Sequence, residues 1–139
     1  MFSAVRQDLQ TFRNDPAVLF MAFEGLNLTG ANMGLRIVDY PDYPGTARAA
    51  LATTTTPGAE GLRLVEVTYD ADGVPTSFVE GIVLKATQQA MPAAPEIGGD
   101  AELYYDLQVT LATDTSDIWG EYEGTLWFGT WRVKGSANL

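Results

Sequence analysis

Glu121 and Glu123 are the residues of this chain whose type and spacing come nearest to catalytic chemistry. Read as part of a strand over 118–133, they share one face about 6.8 Å apart at Cα. Paired carboxyls at comparable separations cleave glycosidic bonds, and the nearby tryptophans would suit sugar stacking. Adjacent same-face glutamates on one strand point in parallel, however, rather than flanking a bond, and the pair reads as a solvated face. Asp70-Ala71-Asp72-Gly73 has the two carboxylates and the glycine of a calcium-loop opening. The twelfth position counted from Asp70 is Gly81, where such a loop needs glutamate, so the Asp-Gly pair reads as hairpin chemistry. The glycines of "GLNLTGANMG" lack both P-loop order and a dinucleotide fingerprint.

The chain contains no histidine and no cysteine. That removes the Ser-His-Asp triad, histidine zinc sites, thiolate nucleophiles, thiolate metal centres and disulfides. The sequence therefore nominates no catalytic, cofactor-binding or metal residues, and the expectation is a protein that is not an enzyme and carries no cofactor. A net charge of −10 and a pI near 4.1 repel nucleic acid and anionic membrane. No run approaches the ~20 apolar residues of a membrane helix, and "MFSAVRQDLQTFRNDP" has no signal-peptide core. The expectation is assembly in a cytoplasm.

A chain of 139 residues with 46% hydrophobic and 19% charged content suits one globular domain. "AELYYDLQVTLA" (101–112) alternates Leu103, Tyr105, Leu107, Val109 and Leu111 against Tyr104, Asp106, Gln108 and Thr110. That period of two predicts a strand with one face on a core and one in water. "AVLFMAF" (17–23) is apolar on both faces, which predicts a central or covered strand. Further strands are predicted within 26–40, around 47–53, over 62–70, over 75–86 and over 118–133, with a helical turn near 87–91. About seven or eight short strands separated by turn signals predict an antiparallel β-sandwich spanning 1–139, with residues 1–16 as an N-terminal arm and 134–139 as a polar tail.

Two aromatic groups stand out as interface candidates. In the first, Trp127 and Trp131 share a strand face while Leu126 and Phe128 point the other way, so both faces are apolar and one needs cover. Trp119, Tyr122, Trp127 and Trp131 could fill the chain's own core, meet another protein, or form a sugar platform; tryptophan and tyrosine carry much of the energy at interfaces. In the second, Tyr40-Pro41-Asp42-Tyr43-Pro44 holds two rings on a stiff extended loop, a form that loses little entropy on docking.

Three segments in order carry a family resemblance. "LNLTGANMGLRI", "GIVLKATQQAMPAA" and "GDAELYYDLQVTLATDTSDIWGEYEGTLWF" resemble the segments of the immunoglobulin-like adaptor domain of phage tails and baseplates, similar to the N-terminal domain of upper-baseplate proteins. The resemblance covers roughly residues 26–133, while the start, "VRQDLQTFRNDPAV", differs from the short "R-G-D-t" strand that often begins family members. It implies an immunoglobulin-like sandwich and a non-enzymatic virion role. It also implies docking onto tail proteins or fibres and assembly with copies of itself as trimers or rings. The alternative is a carbohydrate- or receptor-binding module of the virion.

Overall fold

The computed structural model describes residues 4–41, 43–91, 101–110 and 123–135. Their strands are β1 (Val5–Arg6), β2 (Leu9–Phe12), β3 (Ala17–Glu24), β4 (Asn32–Val38), β5 (Ala49–Ala52), β6 (Gly61–Tyr69), β7 (Pro75–Val83), β8 (Ala101–Thr110) and β9 (Glu123–Lys134), with a helical turn α1 (Lys85–Gln89) between β7 and β8. The expected all-β sandwich is the fold observed. One sheet is six-stranded, ordered β1-β9-β8-β4-β5 with β2 also on β9, and the other is three-stranded, ordered β3-β7-β6.

The alternation of residues 101–110 does what its period requires. Leu103, Tyr105, Leu107 and Val109 are buried, and they face a core built from Met33, Leu35 and Ile37 of β4, Phe23 and Met21 of β3, and Leu62 and Val79 of the small sheet. β8 runs antiparallel to both β4 and β9. Each side chain turned inward removes apolar area worth about 25 cal/mol per Å². The two remaining residues of that stretch, 111 and 112, lie outside the described residues.

The segment before β4 is not strand, although Leu26 and Leu28 are both buried. Buried Ser77 on β7 explains it. Its hydroxyl donates to the Leu26 carbonyl at 2.7 Å and accepts the Leu28 N–H at 2.9 Å. The loop thus satisfies its backbone against a side chain, not a neighbouring strand. The β6–β7 hairpin turns as Asp-Gly predicts: Asp70 Oδ1 accepts the N–H groups of Asp72 and Val74, and Gly73 has φ 80°.

Two expectations need correction. Residues 1–16 are not simply an arm, because Val5–Arg6 and Leu9–Phe12 lie parallel along the edge of β9 in register Val5 with Trp127 and Leu9 with Trp131. The named strands are therefore antiparallel except at this edge, and one isolated parallel bridge joins Thr53, just after β5, to Leu62 of β6. "AVLFMAF" is not a central strand either. β3 sits at the edge of the small sheet, bonded on one side to β7.

Candidate docking surfaces

The tryptophan face resolves into core. Trp131 is fully buried, with its ring edge-on to Tyr105 at 5.9 Å between centroids. Trp127 is half-buried, packs against the core, and meets Phe23 edge-on at 5.5 Å. A bulge decides the rest. Leu107 pairs with Trp127 but Gln108 pairs with Thr125, leaving Leu126 as the extra residue. The bulge turns Leu126 into the core, where strict alternation would have left it outside with Phe128. Among the described residues of this group, Phe128 alone stays substantially exposed. Trp119, Tyr122 and Glu121 lie outside the described residues. Glu123 begins β9 opposite Thr110.

The Tyr40/Tyr43 loop forms a stiffened corner. The rings meet edge-on at 4.8 Å, and the Tyr43 N–H donates to the Tyr40 carbonyl at 3.1 Å. Arg48 clamps the base of the loop with two hydrogen bonds to Asp39, at 2.6 and 3.0 Å. That guanidinium holds the Asp39 carboxyl below its ordinary range. Tyr40 is exposed and Tyr43 half-buried; Asp42 lies outside the described residues.

Beside this loop, on the outer face of the six-stranded sheet, lies a groove of about 480 Å³ lined by Arg6, Val38, Pro41, Tyr104, Asp106 and Phe128, among others. Its wall along β9 is held by the N-terminal segment. Tyr105 donates from its hydroxyl to the Gln7 carbonyl, and the Gln7 N–H donates to the Phe128 carbonyl at 2.8 Å. Asp8 accepts the Thr130 N–H at 3.0 Å and pairs with Arg6 at 3.3 Å. The Thr130 N–H is the main reason the Asp8 carboxyl sits below its usual range, while burial pushes the Tyr105 phenol up.

A second surface escaped sequence reasoning. The outer face of the small sheet carries Val18 and Phe20 on β3, Phe78 on β7 and Val65 on β6, at 50%, 76%, 37% and 45% exposure. Ala22 lies opposite Phe78, and Phe20 opposite Glu80. The signal was present in "AVLFMAF", whose two oily faces cannot both be buried in a sandwich of two layers.

Among the described residues no group of three or more histidine, cysteine or acidic side chains could hold a metal. No helix among them is long and apolar enough to cross a membrane. Comparison with family models, with curated proteins and with solved structures finds no match for this chain.

Proposed function

We propose that this chain is a structural adaptor of a bacteriophage or phage-like tail, a rigid sandwich that docks neighbouring virion proteins or fibres and copies of itself. The observation that carries the reading is the uncovered apolar stripe on the outer face of the small sheet, where Phe20 at 76% exposure lies with Val18 and Ala22 of β3 and Phe78 of β7, bordered by the Arg63–Glu80 ion pair. Apolar patches of this kind on a monomer mark surfaces that meet other proteins. The three-segment resemblance to tail and baseplate adaptors supplies the setting. The carboxylates of the described sites serve the fold: Asp70 holds a turn, Asp39 a loop and Asp8 a strand edge. That use favours assembly over catalysis. The protein acts in the virion, with no cofactor, nucleic acid or membrane among its partners.

Quantitative mass spectrometry of gradient-purified particles tests this. The expected result is a fixed small number of copies per tail, as closed symmetry requires. Absence from clean particles overturns it.

One observation favours a second reading, a carbohydrate- or receptor-binding module. The groove beside Tyr40 combines the rings of Tyr104 and Phe128 with Arg6 and Asp106, a mix of stacking faces and charged hydrogen-bonding groups of the kind small-ligand sites use. Glycan binding that Phe128→Ala abolishes would favour this reading over the adaptor.

A further inference from the structure

The backbone of β3 has a free side. Gly25 donates its N–H to the Pro75 carbonyl at 2.7 Å, one step beyond the Glu24–Thr76 pair. In an antiparallel ladder, hydrogen-bonded pairs alternate with non-bonded ones. Odd-numbered residues of β3 therefore bond to β7, and the N–H and C=O groups of Val18, Phe20, Ala22 and Glu24 point away from it. Among the described residues no strand lies on that side.

Sheet edges are ordinarily protected by shortness, charge, proline or bulges. The other edges here follow that rule. β5 has four residues, β6 carries a bulge at Leu64/Glu66 with Arg63 beside it, and β1 and β2 are separated by Gln7 and Asp8. β3 is eight residues long, pairs with β7 in unbroken register, and bears no charge before Glu24.

We infer that the free edge of β3 pairs antiparallel with β3 of a second copy of this chain, with Phe20 opposite Ala22. This deepens the adaptor reading and rests on it for its biological setting. In this register every outward residue meets another: Val18 faces Glu24, Phe20 faces Ala22, and the two-fold repeats both. Each such pair exchanges two main-chain hydrogen bonds. Placing Phe20 opposite Phe20 leaves Glu24 without a partner, and placing Ala22 opposite Ala22 leaves Val18 without one.

The side chains match as well. On the outer face Ala22 lies between its neighbour Phe78 and the incoming Phe20, so the small methyl leaves room for two rings to meet. The joined sheet gathers Phe20 and Phe78 of both copies around the two-fold axis. Charge fits the same partner. The chain carries −10, yet residues 16–23 carry no charged side chain. The two Glu24 side chains fall at opposite ends, about 20 Å apart, well beyond the ~8 Å Debye length at physiological salt. An edge contact this short lies at the small end of stable interfaces, and in a symmetric particle repetition multiplies it.

Sedimentation of the full chain, up to about millimolar concentration, tests the inference. The wild type is expected to approach twice the monomer mass. Phe20→Lys and Ala22→Pro are expected to stay monomeric with unchanged circular dichroism, because both alter outward groups that β7 does not use. Val65→Lys, exposed at the bulge of β6 on the opposite edge of the small sheet, is expected to dimerise like wild type. The chain has no cysteine of its own, so a nitroxide on Val18→Cys reads the register: the expected distance between copies is about 20 Å. A monomeric wild type, a dimer that survives both edge variants, or a dimer broken by Val65→Lys and not by Ala22→Pro overturns the inference. The two readings fail separately. Particles that incorporate the edge variants at wild-type copy number overturn the edge pairing alone. A β3-paired dimer absent from particles overturns the adaptor alone.

Discussion

Trp131 and Phe20 are both large apolar residues on strands, yet one is fully buried and the other 76% exposed. Their roles differ for that reason. Trp131→Ala empties the centre of the sandwich and is expected to cost about 3–5 kcal/mol, a loss read from denaturant midpoints. Trp131→Phe is expected to cost much less, because it keeps most of the volume and removes an indole N–H that is buried without an acceptor. Phe20→Lys is expected to change monomer stability by no more than about 0.5 kcal/mol. Tyr105 adds a pH dependence. Burial raises its phenol above the ordinary value near 10, so above that pH the unfolded chain loses a proton that the folded chain keeps. Stability therefore falls as pH rises past about 10. Tyr105→Phe is expected to flatten that alkaline decline while lowering stability at neutral pH, where its hydrogen bond to Gln7 is lost.

At the scale of elements, the N-terminal strands depend on a close approach to β9. Gly129 has φ 155°, and a Cβ there would stand 2.7 Å from both Asp8 Oδ1 and the Gln7 carbonyl. Gly129→Ala is expected to push this segment off the sheet edge at a cost of about 1–3 kcal/mol, visible as faster amide exchange over residues 5–12. Acid should loosen the same contact. The Thr130 N–H lowers the Asp8 carboxyl below its ordinary 3.8. Its contribution is complete above that pH and is lost as pH falls through the lower folded value. Amide exchange of the Thr130 N–H is expected to rise only below about pH 4, and Asp8→Ala should show the fast exchange already at neutral pH.

At the scale of the whole molecule, the −10 charge opposes every contact between copies. An apolar edge contact between like-charged bodies should tighten as salt screens the repulsion. Sedimentation at about 0.05 and 0.5 M salt is expected to show stronger association at the higher concentration. A contact held by ion pairs would weaken instead.

Much of this fold was legible residue by residue. The period of two in 101–110, the Asp-Gly turn at 72–73 and the absence of long helical patterns dictate strands, a hairpin and an all-β sandwich, because side-chain alternation and turn geometry are local properties of the chain. The candidate site was less legible. Composition identified Trp127, Trp131, Tyr40 and Tyr43 as rings that could meet a partner, but burial depends on which strands stack above them. Only the tertiary structure placed both of these tryptophans on the core side and used a bulge to turn Leu126 inward. Only it laid residues 5–12 along β9, and only it set "AVLFMAF" at an edge. Strand order and sheet stacking arise from pairings between residues far apart in the chain, as in Ala17 with Val83 and Val5 with Trp127. Such pairings leave no periodic mark on either partner alone.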